Sequence, residues 1–202
     1  MKENNDFKWF IHLSFLSVEQ CNDLVKKVKG EDSWVQGGTY NPQEEEPTKV
    51  NLSHHRDCNE IYLLPELNSN IKNDYSWLVD KLNTIVKITN DRVWKFDIER
   101  NQGDFRTIEY QKGDHFNWHS GTDAGILSLN KITCLIQISD PKDFDGGDLH
   151  FAFSNEKEDF FKCPYKQGYL FMFPSFTNHM VTPLKSGERF IMRETYIGEP
   201  LR

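Results

Sequence analysis

Two histidines in the C-terminal half stand in contexts that suit metal chemistry. His119 closes the segment Phe116-Asn117-Trp118-His119 and is followed by the turn-like Ser120-Gly121-Thr122-Asp123. If 116–119 is extended, side chains alternate, so Phe116 and Trp118 face one way and Asn117 and His119 the other. His179 follows Phe171-Met172-Phe173-Pro174-Ser175 and the turn Phe176-Thr177-Asn178. That order places it just beyond a strand end, where a cavity would open. Two imidazoles brought together with open positions suit Fe(II) and oxygen chemistry. A histidine taken alone is more often structural or superficial, and His12, His54, His55, His115 and His150 are read that way.

Further on, Arg189, Ile191, Arg193 and Thr195 would share one face of a strand. An arginine directed into the interior of a β-structure is costly unless it meets an anion. A dicarboxylate ligand meets that need, because guanidinium pairs bidentately with carboxylate. Arg189 is the first candidate for it and Arg193 the next. Between residues 132 and 138, Ile132, Cys134, Ile136 and Ile138 form an apolar face. The opposite face, Thr133, Leu135 and Gln137, can line a pocket and offer hydrogen-bond donors. Taken singly, each residue has an ordinary structural reading; their combination and order carry the functional one.

The elements that must position these residues fall into two halves. Ser17 can cap a helix running to about Lys29, with Glu19 in its first turn and Gly30 past its end. A second helix is predicted from about Tyr75 to Ile88, with Trp77, Leu78, Leu82, Ile85 and Val86 near helical spacing. Residues 32–47 read as a loop and 60–64 as a short strand. From Val93 onward, β-branched and aromatic runs alternate with Gly, Asp and Pro. The strands predicted there cover 94–97, 105–111, 132–139, 148–152, 169–173 and 189–196. Many short strands without interleaved helices imply an antiparallel double sheet of the jelly-roll kind.

Composition bounds the rest. The chain has 202 residues, enough for one domain with a sizeable core, and 13% are aromatic, which argues against disorder. A net charge of −7 without a strongly basic stretch disfavours nucleic acid and acidic membranes as partners. The Glu44-Glu45-Glu46 run reads as a solvated loop. No apolar run is long enough to span a membrane, and the polar start, with the apolar patch after it broken by His12, does not read as a signal peptide. The four cysteines form no CxxC pair, which disfavours zinc and a disulfide framework and leaves Cys21 and Cys134 as buried thiols. A cytoplasmic protein is expected.

The order of motifs resembles the prolyl-4-hydroxylase-like branch of the Fe(II)/2-oxoglutarate oxygenases. The residues concerned are Tyr110-Gln111-Lys112-Gly113, Trp118-His119, Phe144-Asp145-Gly146-Gly147-Asp148-Leu149, Phe173-Pro174-Ser175, His179, Thr182-Pro183 and Gly187-Glu188-Arg189. The match is dense over about 90–202; the N-terminal half matches in helical layout only. The resemblance implies a mainly β fold with flanking helices, a cupin-like double-stranded β-helix in a single domain. Residues 1–93 would give helical support and loops, and 94–202 the jelly-roll core. It further implies that His119 and His179 hold Fe(II), that Arg189 binds the distal carboxylate of 2-oxoglutarate, and that Tyr110 and Gln137 contact the keto acid, with Thr133 a further pocket residue. The family's reaction consumes O2 and 2-oxoglutarate, releases succinate and CO2, and attacks an unactivated C–H bond.

The chain departs from the family at one place. The family's His-x-Asp is here His119-Ser120-Gly121, so the carboxylate ligand is missing. In relatives with His-x-Gly, chloride takes the vacant position and the reaction is halogenation, and this is the leading expectation, with Gly121 marking the halide position. Alternatively Asp123 swings in as third ligand and the enzyme is a hydroxylase. A third reading is a binding module that has lost catalysis. The substrate, small molecule or peptide, stays open, as do the oligomeric state and the cavity contributions of Tyr40, Asn51 and Phe105.

Overall fold

A computed structural model describes residues 10–39, 55–152 and 160–200. Residues 1–6, Tyr40, residues 44–46, Asn51 and His54 lie outside the described residues. The chain runs through β1 (Ile11–Ser14), α1 (Val18–Lys29), β2 (Val35–Gln36), β3 (Arg56–Asp57), β4 (Asn59–Tyr62) and α2 (Ser76–Arg92). It continues with β5 (Arg100–Asn101), β6 (Arg106–Tyr110), β7 (His115–His119), a 3-10 turn (Gly125–Leu129) and β8 (Asn130–Gln137). The last seven strands are β9 (Phe144–Gly146), β10 (Leu149–Ala152), β11 (Phe160–Lys162), β12 (Tyr169–Pro174), β13 (His179–Val181), β14 (Leu184–Gly187) and β15 (Arg189–Ile197).

Helix α1 starts where Ser17 and Gln20 form a capping box: the Ser17 hydroxyl accepts from the Gln20 N–H and the Gln20 side chain accepts from the Ser17 N–H. Its buried residues Cys21, Leu24 and Val28 recur at helical spacing. Helix α2 buries Leu78, Val79, Leu82 and Val86 and runs to Arg92, four residues past the predicted end. Trp77 lies off that face and is 37% exposed.

The predicted strand at 94–97 is not formed. Trp94 and its neighbours Val93 and Phe96 are apolar because they pack into the helix-side core. Their backbone partner is Asn90, whose side-chain amide donates to the Phe96 carbonyl and accepts from the Phe96 N–H. The chain turns there, with Lys95 at φ 57.

Eight strands form the larger sheet, in the order β1-β12-β8-β15-β6-β4-β2, with β5 paired to β15. Five form the second sheet, β11-β10-β13-β7-β3, and β14 pairs with β9. Every pairing is antiparallel. The period of two in β8 and β15 sorts side chains as the sequence implies. Ile132, Cys134, Ile136, Phe190 and Met192 face the helices with Leu24, Leu78 and Leu82. On the other face, Leu135, Ile108, Phe171 and Ile191 meet Leu149, Phe151 and Val181 of the second sheet. This is the jelly roll, with α1 and α2 packed outside its larger sheet. The four cysteines are buried and unpaired, and no described helix is long and apolar enough to cross a membrane.

Candidate metal centre

The two histidines face each other across the second sheet. His119 ends β7 and pairs in register with His179, the first residue of β13, so His179 opens a strand rather than lying beyond one. Their ring centroids are 4.1 Å apart. Each Nδ1 lies 2.8 Å from a carbonyl oxygen two residues earlier, Asn117 for His119 and Thr177 for His179. A carbonyl only accepts, so each Nδ1 carries the proton and each Nε2 keeps its lone pair. Desolvation and the nearby His179 hold the His119 imidazole well below its ordinary value, and burial takes His179 down to about 4. Both rings are therefore neutral at neutral pH, which is the ligating form.

The alternation expected in β7 is broken. His119 pairs with His179 but Phe116 pairs with Val181, so β7 carries one residue more than its partner. This β-bulge puts Phe116 and His119 on one face. Their rings stack with centroids 3.4 Å apart, and Phe116, Trp118 and His119 all line one cavity of about 500 Å³.

Tyr110, Thr133, Gly121 and Asp123 also reach that cavity. Thr133 shares a hydrogen bond of 2.9 Å with the Ser175 hydroxyl. Gly121 is pinned by its own N–H to the Ser175 carbonyl, 2.7 Å, and by Asn130, whose amide donates to the Gly121 carbonyl at 2.7 Å. A Cβ at Gly121 would lie 3.0 Å from the Ser175 carbonyl oxygen and 3.3 Å from the Thr133 hydroxyl. The swing of Asp123 towards the histidines is not the arrangement seen. Its carboxylate accepts from the Ala124 N–H at 2.7 Å, and no group of three His, Cys, Asp or Glu side chains placed to hold a metal occurs among the described residues.

Arg189 and Gln137 form a unit beside the cavity, not in its wall. Gln137 is fully buried; its Oε1 accepts from the Arg189 Nε at 3.0 Å and its Nε2 donates to the Ser139 carbonyl at 2.9 Å. One of its two amide hydrogens is thus spent on the protein, and Gln137 sits with Arg189 beside the cavity rather than as part of its wall. Arg189 also donates to the Gly147 carbonyl, and its guanidinium lies 4.7 Å from the Tyr165 ring centroid and 6.0 Å from that of Tyr110. Gly147, at φ 62, lets the backbone approach this closely: a Cβ there would come within 2.8 Å of Leu184 and 3.5 Å of the Arg189 Cδ.

The cavity holds three further cations. Arg193 was the sequence's second choice for an anion, whereas Arg106 and Arg56 were missed, and all three reach the wall. Arg106 shares the alternation of Ile108 and Tyr110, so its face was legible. Arg56 sits in a two-residue strand after a long loop, where no periodicity exists to read.

A jelly roll with two neutral histidines paired on adjacent strands and lining an inter-sheet cavity is an architecture that can hold a metal ion. Residues 105–195 match the family model of the 2OG-Fe(II) oxygenase superfamily. A PKHD-type hydroxylase of Sphingopyxis alaskensis is 35% identical over 88 residues, 41% of this chain and 38% of that protein. Another, from a Synechococcus species, is 26% identical over 105 residues, 52% of this chain and 46% of that one. The chain thus spans less than half the length of these curated relatives. In fold it superposes on a Pseudomonas putida prolyl-4-hydroxylase with a TM-score of 0.67 at 14% identity, over 95% of this chain and 93% of that one. Residues 105–195 thus carry the pattern of the 2OG-Fe(II) oxygenase superfamily, and the fold is that of the prolyl-4-hydroxylase structure.

Proposed function

We propose that the chain is an Fe(II)- and 2-oxoglutarate-dependent enzyme that functionalises a C–H bond, with iron held by His119 and His179. The observation that carries this reading is the fixed tautomer of both rings, each with Nδ1 bound to a carbonyl and Nε2 left free. Two neutral imidazole nitrogens on one wall are a donor set that fits Fe(II). Arg189, buried, held by Gln137 and Gly147 and paired across the sheet with Tyr110 of the cavity wall, would take the distal carboxylate of 2-oxoglutarate, with Thr133 a further residue of that wall. Iron with 2-oxoglutarate and O2 supplies the oxidising chemistry, releasing succinate and CO2. The protein's part is to fix the imidazoles, anchor the keto acid and shield the site with Phe116 and Trp118.

The reaction's outcome turns on the position beside His119. Gly121 offers no ligand, and among the described residues no carboxylate joins the two histidines. This favours halide or water at iron, and hence halogenation. The second reading, hydroxylation, is favoured by the matched relatives, which are named hydroxylases. Anaerobic titration with Fe(II), then 2-oxoglutarate, then chloride, followed by metal-to-ligand absorption, tests both. Iron and keto acid should bind in the parent, and His119→Ala and His179→Ala should each lose most of the iron. Unchanged iron stoichiometry in either variant would sink the site. A chloride-sensitive spectrum supports halogenation and an insensitive one hydroxylation. Tight 2-oxoglutarate binding with no succinate after O2 is the signature of the binding module.

A further inference from the structure

Three guanidiniums reach the wall of the cavity that holds the two histidines: Arg56 from β3, Arg106 from β6 and Arg193 from β15. Their carboxylate partners are few. Arg193 and Arg106 share one oxygen of Asp104, at 3.1 and 2.9 Å. Arg56 and Arg106 share Glu60. Glu194, the acid beside Asp104, does not add a full charge. Its Oε2 and the Asp104 Oδ1 are both buried without a hydrogen-bond partner among the described residues, and burial, with Asp104 beside it, raises the Glu194 carboxyl to about 8. At neutral pH the pair therefore holds one proton between them and carries one negative charge.

Among the described residues, the three guanidiniums are ion-paired with two carboxylates, Glu60 and Asp104, and Asp123, the acid in the cavity wall, makes no ion pair with them. Burial and the neighbouring Arg106 push the Arg193 guanidinium down from its ordinary value, whereas at Arg56 and Arg106 the carboxylates outweigh burial and raise it. Donors are also in surplus. Arg56 is 8% exposed and its Nε has no acceptor among the described residues; the buried Nε of Arg106 has none either. A buried cation without a counter-charge and a buried N–H without an acceptor each carry a penalty that a bound anion would remove. Arg189 does not serve this cluster, since it is held apart by Gln137 and Gly147 and does not line the cavity.

We propose that the Arg56–Arg106–Arg193 cluster receives a carboxylate of the substrate, so that the substrate is an acid held beside the histidines while 2-oxoglutarate uses Arg189. The inference rests on the iron and 2-oxoglutarate reading above. It gives the site a polarity: the acid end of the substrate lies at the cluster and the reacting C–H bond towards His119 and His179.

The test uses the protein loaded anaerobically with Fe(II) and 2-oxoglutarate, with acetate as the probe and acetamide as its neutral counterpart, at matched ionic strength. Calorimetry should detect acetate and not acetamide, with the 2-oxoglutarate absorption retained. Arg193→Met should weaken acetate by about tenfold or more while keeping 2-oxoglutarate. N-Acetylglycine and a capped peptide with one internal glutamate then separate a small acid from a peptide side chain as the source of the carboxylate. Displacement of acetate by either supports the proposal, and displacement by neither overturns it. Absence of acetate binding in the parent overturns it without any variant having to fold, as does acetate binding left unchanged by Arg193→Met. Loss of 2-oxoglutarate in Arg193→Met, with retention in Arg189→Met, also overturns it, because the cluster would then be the keto-acid clamp. If the loaded parent shows no 2-oxoglutarate absorption at all, it is the underlying enzyme reading that fails.

Discussion

Gly121 is the residue on which the chemistry turns, and its surroundings constrain what can replace it. With the Ser175 carbonyl oxygen 3.0 Å from a prospective Cβ, Gly121→Ala is expected to cost about 1–3 kcal/mol in urea denaturation. Gly121→Asp carries the same steric penalty, so Gly121→Ala is its proper reference. If the position beside His119 is vacant, Gly121→Asp should abolish the response of the iron spectrum to chloride, Gly121→Ala should keep it, and Asp123→Ala should leave iron bound. Loss of iron in Asp123→Ala would show that the loop rearranges when metal arrives. Arg189 gives a second expectation. Its Nε–Gln137 bond depends on the planar fork, so Arg189→Lys should weaken 2-oxoglutarate about tenfold to a hundredfold in calorimetric titration. Equal affinity would move the keto acid elsewhere.

At the level of elements, the loop after α2 shows how a side chain can stand in for a ladder. Asn90 is 6% exposed and satisfies both backbone groups of Phe96. Asn90→Ala should lower stability by about 1–3 kcal/mol, read from chemical denaturation, with iron content per folded protein unchanged. The same loop explains one failure of reading: Trp94 and Phe96 look like strand residues because burial selects the same types that strands favour. Elsewhere the pattern was faithful. Helix α1 was legible because Ser17 marks its start, and β8 and β15 because both their faces are buried in strict alternation. Arg189 and both histidines could be picked out in the sequence, but their relation could not. The bulge that turns Phe116 onto the His119 face adds one residue to β7, and period-two reasoning cannot see where a strand changes phase. The expected face of Gln137 was legible, whereas its hydrogen bonds to Ser139 and Arg189 were not, since the sequence holds no sign of them.

For the molecule as a whole, the buried ionic cluster should be visible in the pH dependence of stability. Burial, with Asp104 beside it, raises the Glu194 carboxyl from 4.5 to about 8. In the unfolded chain it ionises near its ordinary value, so between about pH 4.5 and 8 the folded state binds the extra proton. The stability this group contributes is complete below that window and is lost as pH rises through it. The histidines slope the other way, because their folded values are lowered and protonation favours the unfolded chain as pH falls below the usual imidazole range. Comparison with Glu194→Gln isolates the carboxyl, since an amide can donate to Asp104 as the protonated acid does. The variant should gain stability relative to the parent as pH rises through the window, and a pH-independent difference would refute the shared proton. The sheet order also sets a timetable for biosynthesis. β15, late in the chain, lies between β8 and β6, where it pairs Ile191 with both Gln137 and Ile108. Until residues 189–197 leave the ribosome, those two strands have no common neighbour, and translation from Tyr110 to Arg189 takes on the order of 4–16 seconds. A ribosome-arrested chain ending before Arg189 should therefore be cut readily by protease, and one with β15 clear of the exit tunnel should resist.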